Sequence, residues 1–230
     1  MKGLILISAY NSAATISVVL QELSIFPDLE IVVINDGSQD KTGDIAHSLG
    51  AHVIKHEKNL GKGAALQTGF AYARTCNIDY LITLDADKQH PIECVPEFIE
   101  QHRTHPDAVI LGTRIRDKNM PWTRKFSNSV SASLISWRIR HSIYDAQCGF
   151  RLIPKPYLSW NFSSITGFIF ESEVLIALAI NGVKFRFVPI PTLYPSTNHS
   201  KMTYFDSTFG FIFMYISSFF KSYKQEKYDV

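Results

Sequence analysis

The sequence predicts an α/β protein, with a mostly parallel sheet flanked by helices in a single domain and an aromatic amphipathic tail after it. Three observations carry this. Strand-type and helix-type segments alternate from residue 4 to residue 114, the order that builds a parallel sheet covered on both faces. Two of the strand segments, IVVI at 31–34 and LITL at 81–84, are unbroken apolar runs suited to burial on both sides. Polar side chains, glycines and acids gather where strands would end, the edge on which open α/β sheets bind ligands.

The elements follow in order. LILISAY (4–10) is a strand, and 14–26 carries apolar residues at helical spacing. Residues 28–36 form the second strand. Residues 40–50 form a helix starting near Asp40 or Thr42, with Gly50 as its C-terminal stop. A short strand at 51–56 precedes a helix at 61–76. A strand at 79–87 leads to a helix at 91–105 opened by a proline, and 107–114 is the fifth strand. Beyond Arg114 a polar loop precedes a long helical segment at 124–140. A compact stretch, DAQCGFRLI (145–153), a helix at 171–182 and a strand at 183–194 follow. The chain therefore divides into a main domain at 1–204, with halves at 1–114 and 115–204, and a tail at 205–230.

With 230 residues, 46% of them hydrophobic, the chain can bury a substantial core. Its formal charge of +2 argues against nucleic acid as a partner. The basic residues are unevenly spread: residues 112–140 hold seven Lys or Arg and one acid, Asp117. That stretch is either a solvated basic helix or a local site for an anion. Three scattered cysteines without a CxxC pair, and the lack of a signal peptide before the first strand, predict reduced thiols and a cytoplasmic setting. The uncharged aromatic run at 207–220, followed by Lys221, Lys224 and Lys227, is too short to span a bilayer. It is either an interfacial helix making peripheral contact with the inner face of the membrane or a helix docked on the core. Nothing in the sequence sets an oligomeric state.

The segment YLITLDADKQHP (80–91) ends a strand on two acids. In extended backbone Asp85 and Asp87 would face the same way, and two carboxylates plus substrate phosphates are what a hard cation such as Mg²⁺ or Mn²⁺ takes. A bare capping turn is the alternative. A calcium-loop reading fails because the third acid and the glycine are absent, and NLGKGAA (59–65) lacks the spacing of a phosphate loop.

SAYN, VVINDGSQDKT, NLGKGAALQTGF, LDADKQHP, GTR, DAQCGFRL and GFIFESE together resemble the motifs of family 2 glycosyltransferases of the Rossmann-like GT-A fold. Within that family the match is to the dolichyl- and polyprenyl-phosphate mannose and glucose synthases, over residues 4–202. The resemblance implies a nucleotide-sugar donor of the GDP-mannose or UDP-glucose type, and a polyprenyl-phosphate or glycan acceptor. It implies Asp85, Asp87 and Gln89 as metal ligands, and Ala9, Tyr10, Asn11, Asp36, Lys62, Asp85, Ala86 and Lys201 around the nucleotide sugar, with His199 and Ser200 beside Lys201. Arg114, Arg124, Ser127 and Asn128 would hold the acceptor phosphate. The family's serine, four residues after the acceptor arginine, is here Asn128.

Direct displacement at the anomeric carbon inverts its configuration. A hydroxyl acceptor needs a general base, for which Glu173 is the first choice ahead of Glu171 and Asp145. A phosphate monoester is already ionised at neutral pH and needs positioning instead. Asp87, Glu173 and Asp145 are the candidate catalytic residues.

Overall fold

A computed structural model describes residues 1–115, 122–140, 142–159, 169–192, 204–221 and 223, and of 122–127 and 204–210 the backbone only. Its strands are β1 (Gly3–Ala9), β2 (Leu29–Asn35), β3 (His52–Lys55), β4 (Tyr80–Asp85), β5 (Ala108–Arg114), β6 (Arg151–Pro154) and β7 (Lys184–Ile190). The helices are α1 (Ala13–Leu23), α2 (Thr42–Ser48), α3 (Lys62–Thr75), α4 (Val95–Thr104), α5 (Trp122–Ile139), α6 (Phe170–Ile180) and α7 (Tyr204–Ser217).

The seven strands form one sheet in the order β3-β2-β1-β4-β6-β5-β7. β1 pairs in parallel with β2 and β4, β2 with β3, and β5 with β7. β6 is antiparallel to both neighbours, Thr83 facing Arg151 on one side and Leu111 facing it on the other. The compact stretch at 145–153 thus contains a strand that the sequence reading left unassigned. It has four residues, all buried, so it shows no alternation to read.

Alternate residues along the central strands enter opposite cores, as the two-residue period requires. Leu4, Leu6, Val32, Ile34 and Leu81 pack with Leu66 and Phe70 of α3 and Leu175 of α6. Ile5, Ile7, Val33, Ile82 and Leu84 pack with Ile16 and Leu20 of α1 and Phe98 of α4. On the first face, α6 is buried along most of its length, which explains why it lacks a polar stripe.

α7 docks on this framework. Met214 is fully buried, and Tyr215 donates to the Leu134 carbonyl at 3.1 Å. Phe213 and Phe220 are exposed, as is Trp137 of α5, whose ring centroid lies 6.2 Å from that of Phe219. Arg138 lies 4.3 Å from the Phe219 ring centroid and donates to the Ser218 carbonyl. Among the described residues, no helix is long and apolar enough to cross a membrane.

Because β1 to β5 share a direction, their C-terminal residues lie along one edge. The register aligns Ala9 with Asn35, Asn35 with Lys55, and Ser8 with Asp85. β6 runs the other way, so its start delivers the loop at 145–150 to that same edge.

Candidate active site

At the first loops of this edge, side chains bond to backbone. Asn11 takes a left-handed conformation (φ +47°); its N–H donates to Ser38 Oγ, and its Oδ1 accepts from the Gln39 N–H at 2.8 Å. The loops after β1 and β2 are thereby clamped together. Ala9 is buried at the end of β1, and Tyr10 is partly exposed beside it. Asp36 is also buried. It accepts from the Leu60 and Gly61 N–H groups at 2.9 and 2.8 Å and faces His56 Nδ1 at 2.7 Å. Both carboxylate oxygens therefore bind the chain itself. Asp36 thereby holds the β3–α3 loop, because two backbone donors and an imidazole converge on it.

That loop sets the position of Lys62. Gly61 has φ +91°, a left-handed conformation that suits glycine, and α3 begins at the next residue. Lys62 Nζ lies 2.5 Å from Asp85 Oδ1 and 3.2 Å from Glu171 Oε1. The absence of a Cβ at Gly149 leaves room for this cluster. A Cβ there would stand 2.9 Å from Asp85 Oδ2, 3.0 Å from Glu171 Oε1 and 3.1 Å from Lys62 Nζ. Burial works against the Lys62 charge, but Asp85 and Glu171 more than restore it and raise its pKa. Burial likewise opposes ionisation of Asp85, yet Lys62, with His90 and Arg114, holds that carboxyl below its ordinary range.

β4 ends at Asp85, so the extended geometry expected to align Asp85 with Asp87 stops at the first of the two. Asp87 lies in the following turn, where its Oδ1 accepts the Gln89 N–H at 3.0 Å. A local side-chain acceptor favours such a turn over continued strand. Lys88 takes φ +63° within it, an uncommon conformation for a residue with a Cβ. The two acids still sense each other: burial, then the Asp85 charge, pushes the Asp87 carboxyl up to about 6. His90 accepts the Asp85 N–H through Nδ1 at 3.1 Å, and burial lowers its pKa to about 4, so at neutral pH its proton sits on Nε2. Ala86 is buried between the acids.

The loop preceding β6 completes the cluster. Asp145 is buried and receives Arg114 in a fork, Nε at 2.7 Å and Nη2 at 3.0 Å. Burial disfavours the guanidinium charge, but Asp145 overcomes this and raises the Arg114 pKa. Arg151 is buried as well and donates to the carbonyls of Ala146, Cys148 and Glu171 at 2.9, 2.9 and 2.7 Å. It ties the loop to the first turn of α6, and so fixes where Glu171 projects. Glu173 stands about 200° further round that helix. It is fully buried and meets Lys221 Nζ at 2.8 Å and the Tyr223 hydroxyl at 3.5 Å. Glu171 thus joins the Asp85 cluster, whereas Glu173, the favoured base, faces the C-terminal segment.

A model of Glycosyl transferase family 2 matches residues 4–159. The chain belongs to this family. This family 2 glycosyltransferase is 29% identical over 223 residues to the UDP-N-acetylglucosamine–dolichyl-phosphate N-acetylglucosaminyltransferase of Methanococcus voltae, covering 86% of this chain and 88% of the relative. It is 30% identical over 192 residues to the dolichyl-phosphate hexose transferase of Haloferax volcanii, covering 81% of each. It is 27% identical to the undecaprenyl-phosphate mannosyltransferase of Micrococcus luteus, covering 88% of each. Among solved structures it resembles glucosyl-3-phosphoglycerate synthase from Mycobacterium tuberculosis in complex with Mn²⁺, UDP-glucose and phosphoglyceric acid. That match has a TM-score of 0.74 at 18% identity and covers 94% of this chain and 79% of the other. The shared architecture is the GT-A fold.

Several residues that the resemblance assigns to this glycosyltransferase's substrates fall outside the described residues: His199, Ser200 and Lys201 entirely, and the side chains of Arg124 and Ser127. Asn128 is buried on α5, and its Oδ1 has no hydrogen-bond partner among the described residues. Arg151, Gly149 and His90 had no role of their own in the sequence reading. The first two sit inside DAQCGFRL, and a buried arginine preceding an apolar run was the available signal.

Proposed function

We propose that this glycosyltransferase moves a hexose from a nucleotide sugar of the GDP-mannose or UDP-glucose type to a polyprenyl monophosphate, inverting the anomeric carbon with a divalent metal as cofactor. The observation that supports a phosphate acceptor is the state of the carboxylates. Each one proposed as a base for a hydroxyl acceptor is already committed to a cation: Asp145 to Arg114, Glu171 to Lys62, and Glu173 to Lys221. A phosphate monoester needs no base. It needs cationic groups, which Arg124 would provide together with the charge of Arg114, whose guanidinium Asp145 holds in place. The acceptors in the relatives' names, dolichyl phosphate and undecaprenyl phosphate, agree with this chemistry.

The residues at the end of β4 fit Mg²⁺ or Mn²⁺. Asp85 and Asp87 are hard oxygen donors that repel each other, and the missing Cβ of Gly149 keeps the space beside Asp85 Oδ2 clear. Among the described residues no three His, Cys, Asp or Glu side chains are grouped to hold a metal. Asp85, Asp87 and Gln89 would therefore share the ion with the donor diphosphate. The bound ion would offset charge developing on the departing nucleoside diphosphate. Tyr10 and Asn11 would line the nucleoside pocket, and Asp36 would act through the loop it holds. The exposed face of α7 with Trp137 would rest on the inner surface of the membrane that carries the acceptor.

Purified full-length protein should transfer sugar to polyprenyl phosphate in Mn²⁺ from one member of a panel of GDP- and UDP-sugars, and Asp87→Ala should lower the rate by about 100-fold. Transfer to a soluble glycan alcohol, with none to polyprenyl phosphate, would overturn the acceptor assignment.

A further inference from the structure

We propose that the Lys62 ammonium is a resident counter-ion of the metal pair. It holds Asp85 and Glu171 together in the absence of a divalent ion, and it must leave Asp85 for metal and donor diphosphate to enter. The inference rests on the reading that Asp85 and Asp87 hold a divalent ion, and deepens it by giving metal binding a condition.

The geometry points this way from three directions. Lys62 is the first residue of α3, aimed at the end of β4 by a loop that Asp36 fastens at Leu60 and Gly61. Its ammonium stands 2.5 Å from Asp85 Oδ1 while bridging to Glu171 at 3.2 Å. The neighbouring Arg114 and the neutral His90 do not take its place. Arg114 is locked in a fork on Asp145, and His90 Nε2 is 3.8 Å from Asp85 Oδ2. An ammonium and a divalent ion cannot share one carboxylate oxygen, since each repels the other at contact distance.

A nucleoside diphosphate would change that balance. Its phosphates bring negative charge to the N-terminal end of α3, whose first turn holds no acid and whose N–H groups favour anions. Lysine carries a compact charge on a flexible four-carbon stem. Lys62 can exchange Asp85 for a phosphate oxygen without displacing the backbone, leaving Asp85 open to the metal. Metal affinity is then low in the free protein and high in the presence of nucleotide.

Mn²⁺ binding, followed by the electron-paramagnetic signal of free Mn²⁺, tests this without any turnover. The full-length wild type should bind Mn²⁺ weakly alone and at least tenfold more tightly with UDP or GDP. Lys62→Met should bind Mn²⁺ without nucleotide at least tenfold more tightly than wild type. Lys58→Met removes the same charge from an exposed position on the same loop and should match wild type. If Lys62→Met fails to fold, Lys62→Gln replaces it, its amide donating to a carboxylate without the charge. Equal Mn²⁺ affinity in wild type and the Lys62 variant, or equal tightening by Lys58→Met, overturns the counter-ion role and leaves the metal reading standing. No Mn²⁺ binding even with UDP or GDP overturns the metal reading, and the counter-ion role with it.

Discussion

A guanidinium carries five N–H donors and no acceptor, so burying one requires carbonyls gathered around it. Arg151 finds three, from Ala146, Cys148 and Glu171, and in doing so joins the loop after α5 to the start of α6. Removing it would take a buried donor from all three carbonyls, of which that of Glu171 keeps its bond within α6. Arg151→Ala should therefore destabilise the protein by about 3 kcal/mol in urea unfolding. Arg151→Lys should recover less than half of that, because one ammonium cannot reach three diverging carbonyls. A loss below about 1 kcal/mol for the alanine variant would mean that the loop is held by other contacts.

At the scale of elements, α6 connects the site to the C-terminal segment. Glu171 on one side of its first turn meets Lys62, and Glu173 on another meets Lys221. Asn181 at the far end donates to the Tyr223 carbonyl at 3.3 Å. Lys221 and Tyr223, after α7, are thus part of the folded domain, and Met214 is part of its core, so truncation before them would damage the fold. Lys221→Met should cost about 2 kcal/mol, since it strands a fully buried carboxylate. Adding Glu173→Gln should restore most of the loss by removing that charge. If the double variant is no more stable than the single one, the ion pair is not what fastens the segment.

At the scale of the molecule, Trp137, Phe213 and Phe220 are exposed, with Arg138 and Arg140 following Trp137 in the chain and Lys221 following Phe220. Aromatic residues with flanking cations suit an anionic interface. Replacing Phe213 and Phe220 together by serine should reduce co-sedimentation with anionic vesicles at least fivefold, while transfer to detergent-dispersed polyprenyl phosphate stays within twofold. Unchanged sedimentation would make these aromatics an ordinary exposed surface. The architecture, the succession of strands and helices apart from β6, and the family were legible in the sequence, because apolar periodicity and short motifs are local properties of the chain. So were the acids at the end of β4. Which acids would meet was not legible. Glu171 and Glu173 are two residues apart and read alike, and only the phase of α6, set by Arg151, sends one to Lys62 and the other to Lys221. Asp36 reads as a loop acid at a binding edge, and only the return of the β3–α3 loop shows its oxygens already engaged. The sequence by itself determined which residue types stand at the sheet edge. The tertiary structure alone decided which charges pair there, because contacts between residues 20 to 109 positions apart depend on helix phase and strand order that no local stretch encodes.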